Sequence, residues 1–288
     1  MRHDRHLVSS SWDSYELLDS GDSLKLERFG EIIVARPETQ ALWEKRQSHA
    51  WEKANATFSF IDKKGSWEKR SVLPESWELS WGAARFLARL AGFKHTGVFP
   101  EQAPNWEWIR TAVGKKKEPD ILNLFGYTGI ASVVAALAGG FVTHVDASKQ
   151  SLDWARENAR LSNVPENAIR WMHDDAIAFV KREARRKARY DGVILDPPAF
   201  GRGAKGEVWK IEKGLPTLLE ALAPLLKEER GSFFLMSGYA AGYAPRSFAQ
   251  AVEDIFGDVE SGESGELHIK EARSERVIPA GIYVRFMR

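Results

Sequence analysis

From Asp120 onward, short apolar runs alternate with helix-length amphipathic stretches, and each run is followed closely by glycine, aspartate or proline. The runs are Asp120 to Phe125, Phe141 to Val145, Ile169 to Met172, Tyr190 to Leu195 and Ser232 to Met236. Between them Ile130 to Leu137, a stretch capped by Ser148 and reaching Leu161, a stretch capped by Asp174, and Leu215 to Leu226 carry helical periodicity. In the Asp174-capped stretch, Ile177, Val180, Ala184 and Ala188 form the buried stripe. A helix over Ser247 to Phe256 and strand-like stretches at Glu266 to Lys270 and Val277 to Phe286 finish the chain. Repeated strand–helix units joined by short loops predict an α/β fold with a doubly wound, mostly parallel sheet. In such sheets ligands bind beyond the carboxyl ends of the strands, so the residues there matter most.

The first hundred residues read differently. Tyr15 to Asp19, Leu24 to Phe29 and Ile32 to Ala35 are strand-like runs separated by Ser20-Gly21-Asp22 and Gly30 and closed by Pro37. Thr57 to Ile61 and Trp77 to Trp81 continue the pattern, with the polar turn Asp62-Lys63-Lys64-Gly65 between them. Eight of the eleven tryptophans lie in the first 110 residues, where aromatics suit half-buried pleated surfaces more readily than they suit a base-stacking face. The expected division is a β-rich module over residues 1–100 and an α/β domain over residues 101–288.

Composition narrows the chemistry. Lys and Arg number 41 against 40 Asp and Glu, so any attraction to nucleic acid has to be local. Cysteine is absent, which removes disulfides, thiolate metal ligands and cysteine nucleophiles. The seven histidines form no metal-binding cluster of the H-E-x-x-H kind, and no metal is expected. No apolar run approaches a membrane span, and the opening MRHDRHLVSSSWDSYELL has no signal-peptide core, so a soluble cytoplasmic protein is expected.

At the strand ends the residues form an ordered series. The first strand runs into Asn123-Leu124-Phe125-Gly126-Tyr127-Thr128-Gly129, a turn whose glycines allow close backbone approach to a ligand. It is neither the G-x-G-x-x-G dinucleotide turn nor a phosphate loop. The second strand ends in Asp146, which can accept from both hydroxyls of a ribose. The third ends in Asp174-Asp175-Ala176, where one aspartate suffices for the helix cap and Asp175 is free to meet an adenine amino group. The fourth ends in Asp196-Pro197-Pro198-Ala199-Phe200. Two prolines fix that loop, and an aspartate with a neighbouring proline carbonyl can accept from an exocyclic amine while Phe200 stacks on its ring.

These segments resemble class I S-adenosylmethionine-dependent methyltransferases with a Rossmann-like sheet. Within them the chain is similar to the bacterial enzymes related to the cytosine-C5 and guanine-N7 methyltransferases of 23S ribosomal RNA. The matching motifs are N-L-F-G-Y-T-G at 123–129, V-D-A-S at 145–148, W-A-R-E-N-A at 154–159, D-D-A at 174–176 and D-P-P-A-F at 196–200. Gly97-Val98-Phe99-Pro100-Glu101-Gln102 matches the stretch that leads into the family's catalytic domain and lies over the cofactor. The resemblance implies S-adenosylmethionine as cofactor, with Phe125, Gly126, Tyr127 and Gly129 at its amino-acid part, Asp146 at its ribose and Asp175 at its adenine. Phe99, Glu101, Gln102, Asn123, Thr128, Ala147, Ser148, Asp174 and Ala176 complete the implied cofactor-binding set, and Asp196, Pro197, Pro198 and Phe200 face the acceptor. The N-terminal part is expected to be a short version without the family's RNA-binding PUA module.

One departure decides the reaction. Cytosine-C5 methylation needs a thiolate, and relatives of that type carry their cysteine after the fifth strand, where this chain has Ser237. A serine without an activating base cannot replace a thiolate at neutral pH. The D-P-P loop instead fits transfer to a nucleobase nitrogen in RNA, ribosomal RNA in particular. The alternatives are a methyltransferase for a small molecule or protein, or a non-catalytic cofactor-binding protein. Arg202 and Lys205, in a glycine-rich flap after the D-P-P loop, are expected to pair with a substrate phosphate while Trp209 or an N-terminal tryptophan stacks on a base. Residues 181–189 carry six bases and one acid on an exposed helix face, either solvated or phosphate-binding.

Overall fold

The computed structural model describes all residues except 62–63, 93, 204–205, 240–241, 258 and 260, and the side chains of Ile61 and Arg202. The chain forms two compact units, one made of Met1–Leu7, Asn105–Leu267 and Gly281–Arg288, the other of Val8–Pro104 and His268–Ala280. The units are therefore discontinuous in sequence, where the sequence suggests a single cut at residue 100. The reason is an N-terminal strand, Arg2–Ser9, that neighbours Glu263–Lys270 in the large sheet. Its side chains are mostly exposed, so it carries no alternating pattern that a sequence reading could detect.

The first unit is built on an eight-stranded sheet. From one edge its order is Arg2–Ser9, Glu263–Lys270, Val277–Met287, Phe233–Gly238, Gly192–Leu195, Asp120–Leu124, Phe141–Asp146 and Ile169–His173. The five strands read from the apolar runs pair in parallel, and Val277–Met287 joins the fifth of them antiparallel. Numbered by sequence, the parallel strands stand in the order 5-4-1-2-3. The chain direction across the sheet thus reverses between the first and fourth strands, which opens a crevice beyond Leu124 and Leu195. Alternate residues Leu122, Leu124, Val145, Val193, Leu195, Phe234 and Met236 pack with Phe179 and Val180 of helix Ala176–Arg185 and with Leu215, Leu218 and Leu222 of helix Ile211–Leu222. That last helix starts four residues before the expected Leu215. Pro216 suggests a helix start, yet here it lies inside the helix, behind a turn anchored by Trp209 against Gly214.

The second unit is β-rich. Strands Tyr15–Gly21, Leu24–Phe29, Ile32–Pro37, Ala56–Ile61 and Lys64–Lys69 form a five-stranded sheet in that order, antiparallel except for the third and fourth. Trp77–Trp81 and Ala84–Ala88 form a separate antiparallel pair. Within the unit Arg36 grips Glu27 through Nε at 2.5 Å and Nη2 at 2.9 Å, and the Tyr15 hydroxyl donates to the same carboxylate at 2.9 Å. The indole N–H groups of Trp43, Trp51, Trp67 and Trp77 donate to Ser20, Asp19, Ala91 and Phe29. These four tryptophans are structural members of the unit.

Candidate active site at the carboxyl ends of the parallel strands

In-register pairing brings the strand ends level. Leu124 stands beside Val145 and Leu195, Leu195 beside Met236, and Asp146 beside His173. The residues that follow these positions are Phe125, Asp174, Asp196 and Ser237, so the sequence-derived site residues of this unit gather at one end of the sheet.

The 125–129 turn is held by more than its glycines. Phe125, Tyr127 and Gly129 all adopt left-handed backbone conformations, with φ of 56°, 48° and 79°. Two non-glycine residues in this region store strain that surrounding contacts must hold, a pattern common where a backbone is shaped for a ligand. Asp146 supplies much of the restraint: Oδ2 accepts from the Tyr127 N–H and Oδ1 from the Ser148 N–H, both at 2.8 Å. Burial pushes the Asp146 carboxyl above the usual carboxylate range, and those two N–H bonds oppose the shift. Each oxygen keeps a further lone pair for a hydroxyl donor. Ser148, as expected, caps the following helix by accepting from Ser151.

Asn123 and Thr128 are buried, and they support the turn from beneath, where the sequence places them against the cofactor. Asn123 donates to Ser132 at 2.8 Å, Ser132 meets His144 Nδ1 at 2.9 Å, and the Thr128 carbonyl accepts from Asn158 at 2.8 Å. Burial, and then Arg156, push the His144 imidazole down to about 3, so it is neutral. The sequence reading missed Ser132, His144 and Asn158; only the W-A-R-E-N-A motif pointed toward the last.

Of the two aspartates after the third strand, Asp175 and not the expected Asp174 caps the helix. Asp175 is the helix cap, accepting from Ala178 N–H at 2.9 Å, while Asp174 pairs with Arg182 and accepts from the Asp175 N–H. The helix begins at Ala176, one residue later than an Asp174 cap requires. Ala147 presents its carbonyl to His173 Nε2 at 2.9 Å.

At the fourth strand end, the Asp196 N–H reaches the Leu124 carbonyl at 3.4 Å. Loss of hydration pushes the Asp196 carboxyl up to about 6, and a hydrogen bond from the Ser237 hydroxyl pulls it the other way. Trp209 donates through Nε1 to the Pro198 carbonyl at 2.5 Å and packs on Phe125, with ring centroids 5.0 Å apart. Trp209 is 6% exposed, so it cannot stack on a base as expected; it anchors the D-P-P loop. The Pro198 carbonyl accepts this bond. Phe200 is 57% exposed and begins an antiparallel hairpin, Phe200–Arg202 with Val208–Lys210. Lys205 and the Arg202 side chain lie outside the described residues.

Phe99, Glu101 and Gln102 belong to the other compact unit, in and beside a 3-10 turn at Pro100–Gln102. There burial pushes Glu101 up to about 7, against the pull of Lys25 and Arg36.

The residues of the first unit suit an amino-acid nucleoside. Gly129 is the cap of helix Ile130–Leu137 and offers no side chain to its first turn, so the N–H groups there favour a carboxylate. Asp146 keeps a lone pair on each oxygen for a vicinal diol, and Asp175 retains Oδ2 while Oδ1 caps the helix.

Comparison with known proteins gives the family. The family model described as S-adenosylmethionine-dependent methyltransferase matches residues 59–230. A ribosomal RNA large subunit methyltransferase K/L from Shewanella sp. (strain ANA-3) is 36% identical over 147 residues, which is 50% of this chain and 20% of that protein. The protein of the same name from Alteromonas mediterranea is 33% identical over 175 residues, 58% of this chain and 23% of its own. The chain therefore spans about a fifth of the curated relatives it matches. A crystal structure described as the SAM-dependent methyltransferase from Agrobacterium tumefaciens superposes with a TM-score of 0.94 at 38% identity, covering 99% of this chain and 95% of that one.

Proposed function

The chain belongs to the S-adenosylmethionine-dependent methyltransferase family, and on that premise we propose that it methylates a nucleobase nitrogen in RNA, with large-subunit ribosomal RNA as substrate. The observation that carries this reading is the end of the fourth strand. There the Asp196 carboxyl, raised by burial and hydrogen-bonded by the Ser237 hydroxyl of the fifth strand, leads through two prolines to an exposed Phe200.

S-adenosylmethionine supplies, when bound, an electrophilic methyl group on a sulfonium. The residues that would hold it are the strained 125–129 turn and helix N-terminus at its carboxylate, Asp146 at its ribose and Asp175 at its adenine. Phe99, Glu101 and Gln102 are proposed to cover it. Asp196 and the Pro197 carbonyl accept the two N–H bonds of an exocyclic amine, which turns the nitrogen lone pair toward the methyl group. Once the nitrogen is alkylated it carries a positive charge and must lose a proton. A carboxylate raised to about 6 is a better acceptor for that proton than an ordinary aspartate. Phe200 stacks on the base, which must leave its helix to reach this depth. Arg202 and Lys205 remain the proposed phosphate contacts beside it.

The test is methyl transfer from labelled S-adenosylmethionine to total RNA from a strain lacking the gene, with Asp196→Ala beside the wild type. Label in large-subunit RNA with the wild type alone supports the reading. No label in RNA, with cofactor binding intact by calorimetry, rejects it and directs the search to proteins and small molecules.

A further inference from the structure

In a parallel sheet every helix returns the chain to the amino ends of the strands, the end opposite the site. Residues 181–189 make such a return, leaving helix Ala176–Arg185 and leading to the fourth strand at Gly192. The acid in this run, Glu183, is buried and already shared: it accepts from Arg186 at 3.0 Å and from the Tyr190 hydroxyl at 2.8 Å. Arg182 is committed to Asp174. Lys181, Arg185, Lys187 and Arg189 are exposed, and among the described residues none of the four makes an ion pair. Arg170 joins them from the edge strand. It stands beside Thr143, whose side chain bonds Tyr190, so it shares the sheet face covered by this helix and is also exposed.

The ordinary explanation for bases at a helix C-terminus is the helix dipole, which reaches no further than the last turn. Here it is insufficient. The final carbonyls are satisfied by backbone alone, with Arg186 N–H on Arg182, Lys187 N–H on Ala184 and Ala188 N–H on Glu183, all at 3.0–3.1 Å. This closure requires one left-handed residue, a position where glycine is usual, and the residue present is Lys187 at φ 57°. Lysine there carries backbone strain and adds a like charge two residues from Arg185 and two from Arg189. Both effects oppose folding, and a bound polyanion would offset the second.

We propose that Arg170, Lys181, Arg185, Lys187 and Arg189 form a docking surface for the sugar–phosphate backbone of RNA. It lies at the far end of the parallel strands, about 15 Å of strand length from the acceptor site. The inference rests on RNA being the substrate and adds a second, sequence-independent contact that positions the strand whose base enters the site. Guanidinium groups pair bidentately with phosphate. The run 181–189 has no exposed large apolar side chain with which to enter a lipid surface.

Lys187→Gly separates the two explanations, because it relieves the strain while removing a phosphate contact. The full chain, Lys187→Gly and the double variant Arg185→Ala with Arg189→Ala would be titrated with an unmethylated large-subunit RNA fragment between 50 and 300 mM salt. Lys187→Gly is expected to unfold at higher temperature than the wild type yet bind RNA several-fold more weakly. The slope of log affinity against log salt should flatten by about 0.7–0.9 for each charge removed. Cofactor affinity by calorimetry should not change. Wild-type and variant proteins that bind RNA equally, with equal slopes, would overturn the docking surface and leave the reaction untouched. A Lys187→Gly protein less stable than the wild type would overturn the strain argument. Anionic vesicles bound as tightly as RNA would overturn the assignment to RNA. A wild type that binds no RNA would overturn the RNA reading itself.

Discussion

A methyl group placed at Gly126 would lie 2.3 Å from Cε1 of His144, so the turn that follows the first strand rests directly on a buried imidazole. Gly126 is required by what lies beneath the turn. Gly129 is required twice, by its φ of 79° and by Ala155, whose Cβ would lie 2.7 Å from its own. Gly126→Ala is therefore expected to push the turn outward and weaken S-adenosylmethionine binding at least tenfold in calorimetry. His144→Ala in the same chain vacates that space and should restore part of the affinity. Additive losses in the double variant would show that the two residues do not act through one contact.

Trp209 predicts a different kinetic signature. It holds the Pro198 carbonyl and packs on Phe125 while itself buried. Trp209→Phe keeps most of the packing and loses the N–H bond. The expected result is a fall in kcat of about fivefold, since one net hydrogen bond contributes about 1 kcal/mol and the loop it fixes carries Asp196. Cofactor affinity should stay within about twofold. An equal loss of cofactor affinity would place the effect in the 125–129 turn instead.

The sequence makes this end of the sheet legible because a parallel strand announces itself as an apolar run and its carboxyl end as a break in that run. Asp146, Asp175 and Asp196 were found in this way, and all stand at the end of the sheet where the ligand crevice opens. Less legible was anything decided across strands. Nothing local distinguishes Asn123, which faces inward to Ser132, from a ligand contact, and the division of roles between Asp174 and Asp175 depends on Arg182 two turns later. The strand Arg2–Ser9 was invisible because its side chains are mostly exposed and its place in the sheet comes from backbone pairing.

In the β-rich unit, the buried Glu27 carboxylate is held down to about 2: burial pushes it up, but Arg36, Lys25 and the Tyr15 hydroxyl outweigh that. A carboxyl lowered on folding contributes stability above its unfolded value, and that contribution is lost as pH falls toward the folded one. Glu27→Gln leaves Arg36 buried without a countercharge and should cost about 3–5 kcal/mol at pH 7 in urea unfolding. The penalty should shrink between about pH 4.5 and pH 2, as the wild-type carboxyl protonates. A penalty that does not vary with pH would mean that shape, rather than charge, makes Glu27 necessary.

Asp196 runs in the opposite direction. Its carboxyl is raised on folding from 3.8 to about 6, so the folded chain binds the proton more tightly than the unfolded chain. Between those values stability falls as pH rises, and above about 6 the full cost of the buried carboxylate is present. Asp196→Asn should therefore abolish methyl transfer yet raise the unfolding temperature at pH 8, with the gain disappearing below about pH 4. In the wild type the same titration sets the acid limb of kcat/KM near pH 6. Ser237→Ala removes the hydrogen bond that opposes the rise, so its acid limb should move to higher pH, and Ser237→Thr should bring it back. A limb that stays in place in Ser237→Ala would assign the titration to another group and remove Asp196 as the proton acceptor.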